Sequence, residues 1–337
     1  MCYWAYPVAS IPQWLRRYCI RRLVNHQTYN EYDNLVYERK LTSSSMKNQL
    51  LIYIVIYLFV SGASQTINAE TKILSSSENT QIAYEIHGDS ERALVFVHGW
   101  LCNRSFWKDQ IKHFANDYTV VAIDLRGHGE SSSEIENLSI NAFAQDVIAV
   151  TSSLGLSDVT LVGHSLGGLV VLETARLNVI NLQGVVVVDE LEGEDLFYSY
   201  FYKIGAWLML KFGYDGVIDS MVEELYRSPA THDLAKEISD TMKEAPPLIG
   251  INSLFGEGHY FDYINNHVSE ALGEVSVPIG IFNAGDAPPK HNFGTLNQEL
   301  LVTKGIPNTS HFLMMEQSTK FNELLESILE EFKLILR

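Results

Sequence analysis

Five short, unbroken apolar runs constrain what this chain can fold into: ALVFVHG (93–99), YTVVAIDL (118–125), VTLVGHS (159–165), GVVVVDE (184–190) and VPIGIFNAGD (277–286). A strand with one wet face alternates apolar and polar residues, whereas a parallel strand covered on both faces reads as a continuous apolar run. Helical patterns lie between or after these runs over 105–116, 141–154 and 167–177, and a last amphipathic pattern spans 319–336. Strand, helix, strand in repetition predicts an α/β chain with a doubly wound, mostly parallel sheet flanked by helices. Before the first run, TKILSSSENTQIAYEIHG (71–88) sets two extended stretches around a Ser-Glu-Asn turn, which reads as a β-hairpin. A short strand, ELLVTK, precedes the last helix, bringing the sheet to eight strands. With 46% of its 337 residues apolar, the chain is large enough to bury a core of that size.

The alternation stops over residues 191–273, where no buried strand is evident and segments such as DLFYSYFYKIGAWLMLKF and DLAKEISDTMKEA carry helical spacing. The reading is a helical cap inserted into the sheet domain, which would then comprise residues 70–190 and 274–337. The aromatic density of the first segment suits the lining of an apolar pocket better than an ordinary pair of core helices.

Chemistry concentrates on LVGHSLGG (161–168), which places Ser165 between glycines two residues to either side. The pattern alone arises by chance in roughly one chain in ten of this length, so its surroundings decide. It follows an apolar strand and opens a helix, the context a nucleophile elbow requires, because the serine must occupy a strained backbone position that only small neighbours tolerate. A phosphate-binding loop is excluded for want of the Gly-Lys-Ser/Thr ending, although a capping serine in a tight turn remains a second reading. A serine hydroxyl needs a base, and His311 in NTSHFLMMEQS lies between the short strand and the last helix, where a ring could reach back over the sheet edge. The imidazole needs a carboxylate to hold its tautomer. Asp286, at the end of the strand after the cap, gives the chain order Ser, Asp, His and is the first candidate; Asp189, at the end of VVVVDELEG, is the alternative acid. The oxyanion of an attacked carbonyl would take backbone N–H groups from Leu166, after the nucleophile, and from Trp100 in the turn HGW.

Taken in order, HGW, DLRGHGESS (124–132), GHSLG and GIPNTSHFLMMEQSTKFN give the chain, over about 71–337, a resemblance to the α/β-hydrolases of the esterase, lactonase and cofactor-free haloperoxidase branch. That resemblance implies an α/β-hydrolase fold with an inserted helical cap. It also implies a serine hydrolase acting on an ester, lactone or related acyl bond, without cofactor or metal. Asp124, Arg126 and His128 would then shape a loop rather than catalyse. Serine at position 165 excludes the branches with an aspartate nucleophile. The segment APPKHNFGTLNQE after Asp286 is poor in helix formers where relatives have a short helix, which leaves the position of the acid open. The same triad would serve a perhydrolase, in which peroxide resolves the acyl-enzyme, and the same fold can serve as a non-catalytic ligand-binding protein.

The formal charge of -17, with no cluster of basic residues after Lys47, argues against a nucleic-acid partner; the resemblance implies a small acyl substrate, and the aromatic cap segment an apolar one. His259, Asp262 and His267 lie close together but lack the spacing of a zinc set. Met46 and Lys47, the apolar run Leu50 to Val60 and the small polar stretch Ser61 to Ala69 have the three-part layout of a secretory signal peptide over residues 46–69, with cleavage after Ala63 or Ala69. An apolar run this short does not span a bilayer as a stable helix, so the expectation is a secreted or periplasmic protein with no membrane span after cleavage. Residues 1–45 then read as a mis-assigned extension, the alternative being a signal anchor held by Arg16, Arg17, Arg21 and Arg22 on the cytoplasmic side. Cleavage would remove Cys2 and Cys19 and leave Cys102 as a lone thiol, so no internal disulfide is expected.

Overall fold

A computed structural model of the chain describes residues 70–76, 80–191, 213–225, 232–285 and 298–337. The extension and signal peptide expected over 1–69, the aromatic segment 195–212 and Asp286 therefore lie outside the described residues.

Eight strands form one sheet: β1 (Lys72–Ser75), β2 (Gln81–His87), β3 (Ala93–Val97), β4 (Thr119–Ile123), β5 (Val159–His164), β6 (Leu182–Val188), β7 (Ile279–Ala284) and β8 (Leu301–Ile306), in the spatial order β1-β2-β4-β3-β5-β6-β7-β8. The first two form the expected antiparallel hairpin and β2 joins β4 antiparallel, while β4 to β8 run parallel in that order through β3. Every residue of β3, β4 and β5 is buried, as their unbroken apolar runs require, whereas β8 at the sheet edge buries only Val302 and Ile306.

Successive side chains on a strand point to opposite faces, so each apolar run feeds two cores. Val95 and Val97 of β3 and Val185 and Val187 of β6 pack on one face with α2 (Ile140–Ser153) and α3 (Leu166–Leu177), through Phe143, Val147, Leu169 and Leu172. Leu94 and Phe96, with Val186 and Val188, pack on the other face with α1 (Lys108–Phe114) and the C-terminal helix, through Phe114, Phe321, Ile328 and Phe332. The helical stretch between β6 and β7 contributes α4 (Tyr214–Leu225), α5 (His232–Met242), α6 (Pro247–Leu254), α7 (Tyr260–Asn266) and α8 (Val268–Glu274). Two further helices, α9 (Leu313–Glu316) and α10 (Ser318–Ile335), close the chain.

The loop after β4 is shaped by its charges. Arg126 lies fully buried and bidentate on Asp146 of α2, with Nε donating to Oδ2 at 2.6 Å and Nη2 to Oδ1 at 2.8 Å. Asp124 accepts the N–H groups of Arg104 at 2.7 Å and Glu130 at 2.9 Å and pairs with the Arg104 guanidinium. Gly129 turns with φ +53, and a side chain there would run into the Asp124 carboxylate. These residues spend their polar atoms on tying the loop to its own backbone, to Arg104 and to α2, in keeping with the loop-shaping role that the resemblance implies.

A buried ion is tolerated only while its partner is present. Asp146→Ala, which removes the bidentate carboxylate from the buried Arg126 guanidinium, is expected to cost about 3–5 kcal/mol of stability in urea denaturation. Asp240→Ala, which removes only the exposed i,i+4 pair with Lys236, is expected to leave the midpoint where it is.

Candidate active site

Strand β5 ends at His164, α3 begins at Leu166, and Ser165 joins them with φ 51 and ψ -125. A positive φ is strained for a residue with a Cβ, and it is held by the Ser165 N–H donating to the Val188 carbonyl at 2.9 Å and the Gly168 N–H donating to the Ser165 carbonyl at 2.6 Å. The flanking glycines are a packing necessity. A Cβ on Gly163 would lie 2.1 Å from the Gly167 carbonyl oxygen, and one on Gly167 would lie 2.4 Å from that of His98. Strand end, helix start and the turn after β3 thus meet backbone to backbone, with Ser165 partly exposed between buried neighbours.

His311 stands in the loop after β8. Its Nδ1 lies 2.8 Å from Oδ2 of Asp189, and because an ionised carboxylate only accepts, the ring proton sits on Nδ1 and leaves Nε2 with its lone pair. Asp189 is itself held: its Oδ1 accepts the Ala284 N–H at 2.7 Å, its own N–H donates to the Phe282 carbonyl at 2.7 Å, and its backbone turns with φ 53. The side chains of His311 and Asp189 are 19% and 8% exposed, so the pair is shielded yet reachable. Asp286, the first candidate, lies outside the described residues. The carboxylate seen on His311 is that of Asp189, the alternative. Both aspartates precede His311, so chain order did not separate them. The placement of Asp189 is spatial in origin: β6 lies directly beside β5, with Val188 paired to His164, which delivers residue 189 next to the elbow.

Trp100 lies in the turn closed by the Cys102 N–H on the Gly99 carbonyl at 3.2 Å, and Leu166 is the first residue of α3, whose N–H has no partner within the helix. A Cβ on Gly99 would lie 3.2 Å from Cβ of Ser165, so the turn rests on the elbow. The indole of Trp100 reaches further, its Nε1–H donating to the Gly250 carbonyl at 2.9 Å and to Ser253 Oγ at 3.0 Å, both on α6. Beneath the turn, His98 donates from Nδ1 to the Gly99 carbonyl at 2.8 Å and accepts the Leu125 N–H on Nε2 at 3.0 Å. Burial pushes its pKa down to about 4, so it is neutral at pH 7.

A cavity of 560 Å³ lies beside this region, lined by Thr71, Glu85, Arg104, Asp124, Glu244 and their neighbours, but not by Ser165, Asp189 or His311. Arg104 within it is occupied by Asp124, Glu130 and Thr71. Of the histidines weighed as metal ligands, His267 pairs with Asp262 at 3.4 Å and His259 bonds the Asn252 carbonyl. Among the described residues no three His, Cys, Asp or Glu side chains converge on one point. No described helix is long and apolar enough to cross a membrane.

The pattern described as the alpha/beta hydrolase family matches residues 94–324, and the chain belongs to that family. It is 38% identical over 97 residues to the non-heme chloroperoxidase CPO-A1 of Kitasatospora aureofaciens, covering 28% of this chain and 35% of that one. It is 35% identical over 95 residues to 3-oxoadipate enol-lactonase 2 of Acinetobacter baylyi, covering 28% of this chain and 36% of that one. The matched stretch therefore spans about a third of the length of these curated relatives. Among solved structures, a thermophilic esterase from Thermogutta terrifontis shares the fold with a TM-score of 0.66 at 21% identity, over 78% of this chain and 99% of that one.

Burial also sets a pH dependence of stability. His98, His128 and His164 are all driven toward the neutral form by burial: His98 to about 4, His128 to about 3, and His164 well below 6.5. Above an ordinary histidine pKa of 6.5, folded and unfolded states are both neutral at these positions. Below it the unfolded chain takes up protons that the native state refuses, so stability falls as pH falls toward 4. Urea unfolding is expected to lose roughly 1.4 kcal/mol per pH unit for each of His98 and His128 over that window, with His164 acting in the same direction and little slope between pH 7 and 8.

Proposed function

We propose that the chain is a serine hydrolase that cleaves an ester, lactone or related acyl bond through Ser165, His311 and Asp189. The observation that carries this reading is the 2.8 Å contact between His311 Nδ1 and Asp189 Oδ2, made beside a serine held at positive φ between a strand and a helix. With its proton fixed on Nδ1, His311 presents Nε2 to take the Ser165 proton as Oγ attacks the acyl carbon. The carbonyl oxygen gains charge and meets the N–H groups of Trp100 and Leu166, which need no reorganisation because the turn and the helix start are packed on the elbow. His311 then returns the proton to the leaving alcohol. Water, activated in turn by His311, attacks the acyl-serine and restores the free enzyme. Asp189 keeps its charge throughout and stabilises the imidazolium formed in each half-reaction.

The similarity to a non-heme chloroperoxidase favours a second activity on the same groups, in which hydrogen peroxide in place of water resolves the acyl-serine to a peroxy acid. The substrate we infer is a small apolar acyl compound, supported by the aromatic content of 195–212. We further propose export out of the cytoplasm, supported by the layout of residues 46–69; mass spectrometry of the mature chain is expected to find an N-terminus at Ser64 or Glu70, and recovery of the Met1 peptide contradicts it.

The catalytic reading is tested with short p-nitrophenyl esters and a lactone panel. Wild type is expected to turn over and to be labelled at Ser165 by a fluorophosphonate, Ser165→Ala to do neither, and Asp189→Asn to lose about 10³–10⁴-fold in kcat with KM little changed. Asp286→Asn is expected to retain most of its activity. Loss confined to Asp286→Asn returns the acid role to that residue, and a wild type that neither turns over nor labels points to a ligand-binding protein.

A further inference from the structure

His164 precedes the nucleophile and is the last residue of β5, with its side chain buried. Its Nε2 lies 2.7 Å from the backbone carbonyl of His311, 147 positions further along the chain. A carbonyl only accepts, so the proton of His164 is on Nε2 and the bond is a donation to the loop that carries His311. The opposite nitrogen, Nδ1, is buried, has no hydrogen-bond partner among the described residues and faces the oxyanion turn, where a Cβ on Gly99 would come within 2.9 Å of it. The ring is wedged further by His311 and Phe312, with centroids at 4.6 and 5.3 Å. A buried polar atom left unpaired has a cost, and this orientation accepts that cost at Nδ1 so that Nε2 can reach the loop.

The other bonds of that loop are local. Ser310 donates its N–H to the Glu316 carboxylate at 3.0 Å, the Gln317 amide reaches the Pro307 carbonyl at 3.1 Å, and Thr309 bonds the Ile306 carbonyl. These tie residues 307–312 to their own strand and helix but not to the nucleophile. Among the described residues, the side-chain bonds given from His311 to the β5–β6 strand ends are two: Asp189 on the ring and His164 on the backbone. The first leaves the ring free to swing with its backbone, and the second holds the backbone to the residue next to Ser165.

We propose that His164 is a positioning residue for the reaction: its Nε2–H bond to the His311 carbonyl fixes the backbone of the histidine loop against the nucleophile elbow. The inference rests on the triad reading above. Burial, and then the charge His311 acquires, hold the His164 pKa well below the ordinary value, so it remains a neutral donor while its neighbour takes and gives a proton.

The test compares His164→Gln, whose amide can donate at a similar reach, with His164→Leu, which fills space but donates nothing. On p-nitrophenyl acetate the Leu variant is expected to lose about 10- to 100-fold in kcat with KM within about threefold, since a displacement on the ångström scale costs on that order. The Gln variant is expected to recover most of the loss. In ¹H NMR without substrate, the downfield Nδ1 proton of His311 is expected in wild type and the Gln variant, and broadened or lost in the Leu variant. If the Leu variant does not fold, His164→Asn, whose shorter amide falls short of the carbonyl, takes its place with the same expectations. A folded Leu or Asn variant with wild-type kcat and an intact His311 resonance overturns the proposal, as does a Gln variant as impaired as the Leu one. A wild type inactive on every ester, whose His311 proton is nonetheless lost in the Leu variant, refutes the hydrolase reading and leaves the positioning role standing.

Discussion

Three backbone segments meet at one point with no side chain between them, and the site depends on that approach. Gly163 and Gly167 leave room for the end of β5, the start of α3 and the His98 and Val97 carbonyls to pack directly. Any Cβ at either glycine would meet backbone atoms that cannot swing aside as a side chain could. The contact forces the chain through Ser165 at positive φ, and the N–H of Ser165 on the Val188 carbonyl then fixes the neighbouring strand end. The next residue of that strand is Asp189, which meets His311. The serine, the aspartate and the turn with Gly99 and Trp100 are thus set by a backbone arrangement, with the side chains completing it.

The parallel sheet explains why such a point exists. Strands β3, β5, β6 and β7 run in the same direction, so their C-terminal ends lie side by side, the region where open α/β sheets gather functional groups. Each end contributes one part: β3 the turn with Gly99 and Trp100, β5 the serine, β6 the aspartate, and β7 the Ala284 N–H that anchors the aspartate. The helical stretch between β6 and β7 is joined to this edge by the Trp100 indole on α6, so the residue proposed to hold the oxyanion also bears on that stretch. Buried neutral histidines at positions 98 and 164 supply directional hydrogen bonds without adding a second charge beside His311.

Much of this is legible in the chain itself. Continuous apolar runs mark β3 to β7 because both faces of those strands are covered, and the glycines around Ser165 mark the elbow because no other residue fits. Boundaries shift by a few positions, β6 for example starting at Leu182 rather than 184, since a polar Gln183 at the strand start is tolerated where one side remains partly exposed. The acid is less legible. In the sequence Asp189 and Asp286 both close apolar runs and both precede His311, and it is the lateral order of the strands, which no local pattern encodes, that brings Asp189 to the ring. The same holds for His164 and for the Trp100 indole, whose partners lie 147 and 150 positions away.

The central claim is that one serine, one imidazole–carboxylate pair and two backbone N–H groups converge on a single reacting atom. A crystal structure of the chain inactivated by a small fluorophosphonate tests that convergence directly. The account predicts phosphorus bonded to Ser165 Oγ, a phosphoryl oxygen about 2.7–3.1 Å from the N–H groups of both Trp100 and Leu166, and His311 Nδ1 still on Asp189. An adduct on another residue, a phosphoryl oxygen turned away from those two N–H groups, or a His311 ring paired with Asp286 would contradict it.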